Sequence, residues 1–201
     1  MRKNLRYYLF FLFLAVTVLA INSTVQAGAQ GKKVLMIIAH RDFQDKEFKV
    51  PKKTFEKDGL QVSVSSSKTG EARGSSGTRV EPDVLIDDVN VADYDAVVFV
   101  GGLGVKKDYW NNAKAHAIAR DAVAQGKVLA AICWAPVILA NAGVLEGKQA
   151  TVSKYMNAHR ILKSKGCTYT GKNVTADGNI ITADGPDAAE SFAKAIIEAL
   201  Q

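Results

Sequence analysis

The residue best suited to covalent chemistry is Cys133, which lies in the run A-I-C-W-A at residues 131–135. A run typical of a β-strand, residues 128–132, precedes it, and Pro136 opens an apolar run typical of a helix. Small residues two positions before and after a nucleophile are typical of the sharp strand-to-helix turn called a nucleophile elbow. A helix N-terminus after the turn predicts a thiol more acidic than free cysteine. The alternative is that Cys133 is a small hydrophobic residue at the end of a buried strand.

The elements that must position Cys133 alternate between strand and helix. Strands are predicted at residues 33–39, 61–65, 96–100, 128–132, 149–152, 167–170 and 179–182. Helices are predicted at residues 47–57, 113–125 and 157–165 and after Pro136 and Pro186, with short extended pieces within residues 78–86. This alternation predicts a doubly wound α/β sandwich with a mostly parallel central sheet and active groups at the carboxyl ends of the strands.

Three predicted strand ends could contribute to one site: residues 43–47, the pair Gly101-Gly102, and Cys133. The backbone amides of Gly102 and Trp134 would suit an oxyanion site, because both could point at an oxygen that forms beside the sulfur. The alternative is that the glycines only make a tight turn with positive φ. This glycine run is not a phosphate-binding loop, since it lacks both the lysine spacing and the full G-x-G-x-x-G pattern.

The first 27 residues have the pattern of a secretory signal peptide. Basic residues at positions 2, 3 and 6 precede an apolar run at residues 7–21, and residues 25–27 supply a signal-peptidase site. We therefore expect cleavage, a periplasmic or secreted protein, and a mature single domain at residues 28–201. The apolar run is about fifteen residues long and is short for a membrane span of roughly twenty. An uncleaved membrane anchor is the alternative.

Residues 28–201 have the length of one domain with a sizeable core. The leader carries three basic residues and no acidic one, so its removal lowers the formal net charge from +6 to +3. This small excess is spread along the chain and predicts neither nucleic-acid binding nor stable membrane association after leader removal. The two cysteines, Cys133 and Cys167, invite a disulfide in an exported chain. We expect them to stay unpaired, because an elbow cysteine makes a poor structural bridge.

Five ordered sequence blocks resemble the ThiJ/PfpI superfamily, which includes the Parkinsonism-linked deglycase and the PfpI peptidase. They are K-V-L-M-I-I-A from residue 33, F-Q-D-K-E-F-K-V-P from residue 43, Y-D-A-V-V-F-V-G-G from residue 94, G-K-V-L-A-A-I-C-W-A-P-V-I-L-A-N-A-G-V-L-E-G-K from residue 126, and D-G-N-I-I-T-A-D-G-P from residue 177. The resemblance covers essentially all of residues 28–201. It implies a flavodoxin-like sandwich, usually dimeric, with its nucleophile at Cys133.

The resemblance also implies a partner for the cysteine. In the superfamily a glutamate four residues before a proline hydrogen-bonds the cysteine, and Glu47, four residues before Pro51, takes that place. A partly buried carboxyl group that faces a thiolate should have a raised pKa and keep its proton. Glu47 would then act as general acid and base beside Cys133. The alternative is that Glu47 is a solvated residue at a helix start.

This chain departs from the superfamily pattern around the cysteine. Trp134 stands where PfpI-type peptidases have a histidine, and an indole cannot accept the thiol proton. Gln44 replaces a carboxylate found in many relatives, and Ser153 lies near the histidine position of deglycase and glyoxalase members. Gly101 and His40 complete the predicted pocket, although His40 could instead cap a loop.

The remaining two of the three histidines, His116 and His159, are expected on solvated helix faces. Because the histidines and cysteines lack metal-ligand spacing, we expect no metal and no cofactor. Trp134 could either narrow the pocket or pack at a dimer interface.

These residues support two classes of function. In the first, a cofactor-independent enzyme of the glyoxalase or deglycase type binds a small reactive carbonyl compound, Cys133 attacks it, and Glu47 moves the proton. A PfpI-type peptidase or amidase is a weaker version of this hypothesis, because no histidine assists. In the second, the accessible thiol is oxidised to a sulfinate beside protonated Glu47, and the protein is a redox-sensing or chaperone stress protein. A homodimer is expected in either case.

Overall fold

The computed structural model describes residues 29–201, so the predicted leader at residues 1–27 lies outside the described residues. The strands are β1 (Lys33–Ile38), β2 (Arg41–Phe43), β3 (Gln61–Ser66), β4 (Ala72–Gly74), β5 (Arg79–Val80), β6 (Val84–Leu85), β7 (Ala96–Phe99), β8 (Val128–Ile132), β9 (Gln149–Ala150), β10 (Thr168–Tyr169), β11 (Val174–Asp177) and β12 (Ile180–Ala183). The α-helices are α1 (Asp45–Lys57), α2 (Gly104–Asp108), α3 (Ala113–Ala124), α4 (Pro136–Asn141), α5 (Ala158–Ser164) and α6 (Ala189–Ala199).

A seven-stranded sheet in the order β11-β12-β8-β7-β1-β3-β6 forms the centre of the fold. All neighbouring pairs are parallel except β11 with β12, which is antiparallel. The predicted α/β fold with a mostly parallel sheet is therefore confirmed. Two smaller sheets, β2-β4-β5 and β9-β10, lie outside the central one.

The central strands are covered on both faces, which explains their continuous apolar sequence. All residues of β7 and β8 are buried, as are all residues of β1 after its first. Helix α1 packs against α6, and α4 packs against both α3 and α5. Helices α1 and α6 are amphipathic: Phe48 and Phe55 of α1 and Phe192 of α6 are buried. The opposite faces carry exposed charged residues, Lys53 and Glu56 on α1 and Glu190 and Lys194 on α6.

The order of the strands places one crevice at the carboxyl edge of the sheet. From β1 the chain moves outward to β3, and it later returns to the other side of β1 to form β7 and then β8. Ligands bind α/β sheets at such a reversal of strand order. Residues that follow β1, β7 and β8 therefore meet at one edge of the sheet.

Several boundaries differ from the sequence predictions. Helix α1 begins at Asp45 rather than Glu47 and continues through Pro51, its seventh residue, at the cost of the one helical hydrogen bond that a residue with an N–H would donate to the Glu47 carbonyl. The predicted strand at residues 149–152 has only two paired residues and joins β10 instead of the central sheet. Strand β11 was missed; its antiparallel pairing with β12 makes a hairpin across Gly178, whose φ is +59°. Helix α6 begins at Ala189, after a 3₁₀ turn that starts at Pro186.

Within residues 29–201, none of the helices combines the length and the apolar character needed to cross a membrane.

Candidate active site

Cys133 occupies a constrained turn between β8 and α4. Its φ is +64°, a backbone conformation that non-glycine residues seldom adopt. Two hydrogen bonds hold the turn: the Cys133 amide donates to the Ala183 carbonyl over 2.9 Å, and the Ser153 amide donates to the Cys133 carbonyl over 2.9 Å. The side chain is half-buried, and both Cys133 and Cys167 are free thiols. This is the geometry of a nucleophile elbow, with the thiol lifted out of the sheet.

Glu47 lies in the first turn of α1, where Gln44 holds the helix start. The Gln44 side-chain oxygen accepts a hydrogen bond from the Glu47 amide over 2.9 Å, so Gln44 is the helix N-cap. The Glu47 side chain is fully buried, and neither carboxyl oxygen has a hydrogen-bond partner among the described residues. The alternative of a solvated residue at a helix start is therefore wrong.

Burial of the carboxyl group raises the pKa of Glu47 to about 8. The nearby Cys133 thiol and Gly101 amide act in the opposite direction, and the charge of Asp184 adds to the rise. A carboxyl group is more stable with its proton when the effect of burial outweighs that of nearby donors. Glu47 is therefore protonated at neutral pH, as the sequence predicted.

Gly101 brings the cysteine and the glutamate together. A methyl group on Gly101 would lie within 2.5 Å of both Glu47 Oε2 and Cys133 Cβ. These two atoms are therefore no more than about 5 Å apart, on the same side of the glycine. The absence of a side chain at Gly101 thus permits the close approach of Glu47 and Cys133.

The backbone after Gly101 turns sharply at Gly102, whose φ is +116°. Gly102 forms a bridge with Phe43, and the Gln44 amide donates to the Gly101 carbonyl over 2.9 Å. The positive φ that the alternative interpretation proposed is present, and the Gly102 amide nevertheless acts to lower the pKa of the Cys133 thiol, against the larger effect of burial. The turn and a role in anion binding are therefore compatible.

The electrostatics of the thiol differ from the sequence prediction. Burial and the negative charge of Glu47 raise the pKa of the Cys133 thiol, while the backbone amides of Gly102 and Trp134 favour its charged form. The prediction of a thiol more acidic than free cysteine is wrong, because burial, the largest cause, outweighs the amides of Gly102 and Trp134. The Glu47 contribution vanishes once that carboxyl holds its proton, so the two ionisations are coupled.

Two predicted pocket residues contribute mainly through their backbones. Ser153 is buried, and its amide fixes the Cys133 carbonyl. The His40 amide donates to the Asp108 carboxylate over 3.0 Å, and its buried Nδ1 has no partner among the described residues. The loop role considered for His40 is thus present in its backbone.

Trp134 is buried within its own chain, next to a second buried tryptophan, Trp110. Its exposure is 7%, and its ring lies 6.2 Å from that of Trp110. The Trp110 Nε1–H donates to the Trp134 carbonyl over 3.1 Å. In turn, the Trp110 carbonyl accepts hydrogen bonds from Asn141 Nδ2 at 2.7 Å and from His116 Nε2 at 2.9 Å. Trp134 is therefore positioned by a network that runs from α3 and α4 to the elbow.

Two histidine predictions need correction. His116 is half-buried in the Trp110 network rather than on a solvated face. His159 is also half-buried, with its ring 5.4 Å from that of Tyr169. Neither side chain is fully solvated, because His116 hydrogen-bonds the Trp110 carbonyl and His159 lies against the Tyr169 ring.

Asp45 is a site-supporting residue that the sequence analysis missed. Its carboxylate accepts hydrogen bonds from the Ser76 amide at 2.7 Å, the Thr78 amide at 2.8 Å and the Ser75 hydroxyl at 3.3 Å. Burial opposes ionisation, but these hydrogen bonds outweigh it and lower the pKa of Asp45 to about 2. Asp45 thereby ties the loop after β4 to the helix that carries Glu47. The sequence did show an acidic residue in the first turn of a helix, but this pattern indicates only a favourable interaction with the helix dipole.

Trp110 and Asp184 were also missed. No local pattern marks a tryptophan as a donor to a carbonyl 24 residues away. Asp184 directly follows the last residue of β12, and strand-end position was the signal that could have identified it.

Among residues 29–201, no group of three or more histidine, cysteine, aspartate or glutamate side chains is arranged to hold a metal ion.

Comparisons with protein families, with known proteins and with solved structures agree on one family. A model of the DJ-1/PfpI family matches residues 32–199. An uncharacterized protein of Methanocaldococcus jannaschii is 43% identical over 169 residues, covering 84% of this chain and 82% of its own. The deglycase PfpI of Pyrococcus furiosus is 32% identical over 154 residues, covering 77% and 90%. The crystal structure of a ThiJ/PfpI domain protein from Brachyspira murdochii superposes with a TM-score of 0.81 at 32% identity, covering 86% and 98%.

Proposed function

The chain belongs to the DJ-1/PfpI family, and from this premise we propose that it is a cofactor-independent cysteine enzyme that acts on small reactive carbonyl compounds. The observation that carries the proposal is the Cys133 thiol beside a fully buried, protonated Glu47. The deglycase name of the Pyrococcus furiosus relative supports carbonyl chemistry. Family membership alone does not fix the reaction, since one fold serves many chemistries.

In the first proposed step, the Cys133 sulfur attacks the carbonyl carbon of an α-oxoaldehyde. The C=O π electrons move to oxygen, and the Gly102 and Trp134 amides stabilise the charge that forms there. Glu47 gives its proton to this oxygen and accepts the proton that the thiol loses. The product is a hemithioacetal on Cys133, and Glu47 is again protonated. A carboxyl group with a pKa of about 8 suits this exchange, because its affinity for a proton is close to balanced near neutral pH.

In the second proposed step, the hemithioacetal rearranges. Glu47 first releases its proton to solvent, and the resulting carboxylate takes the proton from the carbon bonded to sulfur. Glu47 then returns this proton to the neighbouring carbonyl carbon, while the hydroxyl proton moves to the neighbouring oxygen. The result is a thioester of an α-hydroxy acid. Water cleaves the thioester and returns the free thiol, so no oxidant or reductant is consumed. Methylglyoxal would give lactate by this sequence.

Peptidase activity is the weaker version of the proposal. The groups that act on the thiol are Glu47 and the amides of Gly102 and Trp134, and none of them is a histidine. Departure of an amine from an amide requires strong general-acid assistance, which a histidine normally provides. Carbonyl addition needs less assistance and fits the groups present.

The test is methylglyoxal consumption and lactate formation by the protein and by Cys133→Ser and Glu47→Gln. Cys167→Ser is the matched control, because it removes the other, buried thiol. We expect lactate turnover above a thiol-buffer blank, unchanged in Cys167→Ser and reduced by at least about 100-fold in the other two. Turnover that survives in Cys133→Ser would contradict the proposal.

A redox role is the second candidate, favoured by a partly exposed thiol next to a neutral carboxyl group. Each peroxide molecule would transfer one oxygen to Cys133 and leave as water, and protonated Glu47 would donate a hydrogen bond to the sulfinate. Intact mass after limited peroxide treatment tests this. A gain of two oxygens on Cys133 that stops at one oxygen or proceeds to three in Glu47→Gln, without lactate turnover in the parent, would favour this role.

We also propose that the protein acts after export, without residues 1–27, and as a homodimer. The leader pattern supports export, and the exposed apolar side chains of Leu103, Tyr155 and Met156 support self-association. N-terminal sequencing of the protein from its host and light scattering of residues 28–201 test the two statements. A monomeric mass across a wide concentration range would contradict the dimer.

A further inference from the structure

Cys133 is held between two segments that belong to different sheets. Its amide donates to the Ala183 carbonyl of β12, and its carbonyl accepts from the Ser153 amide, each over 2.9 Å. Strand β12 is part of the central sheet, whereas residues 151–153 follow β9, which forms a separate two-stranded sheet with β10. A left-handed backbone such as that of Cys133 persists only where its surroundings hold it. The turn therefore depends on how residues 151–153 are fixed against β12.

The Thr182 hydroxyl links these two segments. The Thr151 amide donates to Thr182 Oγ1 over 2.9 Å, and Thr182 Oγ1 donates to the Thr175 carbonyl over 3.5 Å. Thr175 and Thr182 are paired in register across the β11-β12 hairpin, so this carbonyl has a fixed position. The hydroxyl proton is thus directed at β11, which leaves a lone pair of the oxygen for the Thr151 amide.

Burial makes this link hard to replace. Thr151 and Thr182 both have an exposure of 0%. Because solvent does not reach the Thr151 amide, loss of the Thr182 hydroxyl would leave its N–H group without an acceptor. By contrast, the Gln149 amide at the start of β9 donates to the Asp177 carboxylate at the surface, where water can compete. Thr182 is therefore an anchor that water cannot replace.

These hydrogen bonds close a ring of neighbouring residues. Its members, in order, are Thr182, Ala183, Cys133, Ser153 and Thr151. We infer that Thr182 is a positioning residue for Cys133: its hydroxyl fixes residues 151–153, and the Ser153 amide then holds the Cys133 turn. The inference concerns the placement of the thiol and does not rest on the proposed function. The reactivity of the thiol alone can therefore test it.

Three substitutions separate the hydroxyl from the rest of the side chain. Thr182→Val keeps a similar shape and removes the acceptor of the Thr151 amide, whereas Thr182→Ser keeps that acceptor. Thr151→Val is the matched control, because Thr151 is equally buried but its own hydroxyl has no partner among residues 29–201. All three are made in the Cys167→Ser background, in which Cys133 is the remaining thiol.

The readout is the pH dependence of Cys133 alkylation by iodoacetamide, followed by intact mass. The midpoint of this profile reports the groups that surround the sulfur, so a purely structural role would lower the unfolding temperature without moving it. In Thr182→Val the turn relaxes, and the midpoint should move toward that of a free cysteine by at least about one pH unit. Thr182→Ser and Thr151→Val should stay within about 0.3 pH unit of the parent. An unchanged midpoint in Thr182→Val, or an equal shift in Thr151→Val, would overturn the inference.

Amide hydrogen exchange of the parent tests the ring without any substitution, and so does not depend on the folding of Thr182→Val. The Thr151, Ser153 and Cys133 amides should become accessible in one opening, with protection factors that agree within about threefold. A Thr151 amide protected about 100-fold less than that of Cys133 would show that the ring opens piecemeal and would overturn the inference.

Methylglyoxal turnover keeps this inference separate from the proposed function. If the parent is active, Thr182→Val should lower kcat by about tenfold or more with KM nearly unchanged, because the thiol is misplaced while the pocket remains. Normal kcat in Thr182→Val would count against the inference. An inactive parent whose alkylation profile still shifts in Thr182→Val would contradict the proposed function and support the positioning role.

Discussion

Asp45 and Glu47 lie two residues apart in the first turn of α1, and both carboxyl groups are buried, with exposures of 6% and 0%. The Asp45 carboxylate accepts hydrogen bonds from Ser75, Ser76 and Thr78, and its pKa is lowered to about 2. The Glu47 carboxyl has no hydrogen-bond partner among the described residues, and its pKa is raised to about 8. One helical turn thus holds a permanently charged group and a neutral one.

The difference shows that burial alone does not set ionisation. Burial raises the pKa of both groups, and donors decide which of them keeps its charge. The charged Asp45 holds a loop against the helix and has a structural role. The neutral Glu47 keeps a mobile proton next to Cys133 and is suited to chemistry.

The largest expected effect comes from substituting the glycines that lie next to the two carboxyl groups, Gly101 beside Glu47 and Gly74 beside Asp45. A methyl group on Gly101 would collide with Glu47 and Cys133, whereas one on Gly74 would lie 2.6–2.7 Å from the Asp45 carboxyl atoms. Gly101→Ala should lower kcat/KM by about 100-fold or more, because displacement of reacting groups by about 1 Å costs that much. Gly74→Ala should mainly lower stability. Steady-state kinetics and thermal unfolding of both variants check this.

Each of the two glycine variants serves as the control for the other. A Gly101→Ala protein with normal kinetics would show that Glu47 and Cys133 need not approach each other. A Gly74→Ala protein that loses activity while keeping its unfolding temperature would show that Asp45 also has a catalytic role.

Asp45→Asn should destabilise the protein by about 2–3 kcal/mol, because hydrogen bonds to a charged acceptor are lost or weakened. Urea unfolding at pH 7 measures this, with Asp187→Asn as an exposed aspartate that should change stability by less than about 0.5 kcal/mol. The folded Asp45→Asn protein should keep kcat within a few-fold of the parent. Unchanged stability would mean that the loop is held by other contacts.

The pH dependence of stability should have opposite signs for the two groups. Glu47 has a pKa of about 8 in the folded protein against an ordinary value of 4.5, so its contribution is complete below pH 4.5 and is lost as the pH rises through 8. Stability should therefore fall by about 1.4 kcal/mol per pH unit between these values. Asp45, with a pKa of about 2 against an ordinary value of 3.8, contributes above pH 3.8 and loses its contribution as the pH falls through 2.

Urea unfolding from pH 5 to 8 of the parent and of Glu47→Gln isolates the first effect. The slope that belongs to Glu47 should be absent from the variant, because a carboxamide does not titrate. Identical slopes in both proteins would indicate that Glu47 is ionised throughout this range.

Most of the fold could be predicted from the sequence because its strongest signals are local. The apolar runs of β1, β7 and β8 have the length and continuity of parallel strands covered on both faces. Strand β11 was missed because Val174–Asp177 is short and mixed in polarity, and it depends on pairing with β12. The register of such an edge strand is decided by tertiary contacts, which the sequence pattern does not contain.

Those site residues could be predicted that stand in a recognisable local sequence pattern. Cys133 and Glu47 were identified from an elbow pattern and from a resemblance, and the structure places them together at Gly101. The ionisation of Cys133 was not predictable, because it depends on burial and on a carboxyl group 86 positions away in sequence. The roles of Asp45 and Trp110 were not predicted for the same reason, because their hydrogen-bond partners are distant along the chain.

The smallest expected effect concerns Trp110, whose side-chain hydrogen bond goes to the Trp134 carbonyl. Trp110→Phe keeps most of the ring packing and removes the Nε1–H donor that lies 3.1 Å from that carbonyl. Loss of one neutral hydrogen bond is worth about 1 kcal/mol, so we expect kcat to fall about three- to fivefold, with KM nearly unchanged. A positioning role predicts this split, whereas a purely structural role predicts a lower unfolding temperature with normal kcat.

Lys106→Met is the matched control, because Lys106 Nζ lies 5.5 Å from the Trp110 ring centroid and its removal leaves the Nε1 hydrogen bond intact. Its kcat should equal that of the parent. The comparison with Glu47 then becomes quantitative: a group that moves the proton should matter at least tenfold more than one that only orients a backbone amide. If Trp110→Phe lost as much activity as Glu47→Gln, orientation of the Trp134 amide would be as important to the reaction as the proton itself.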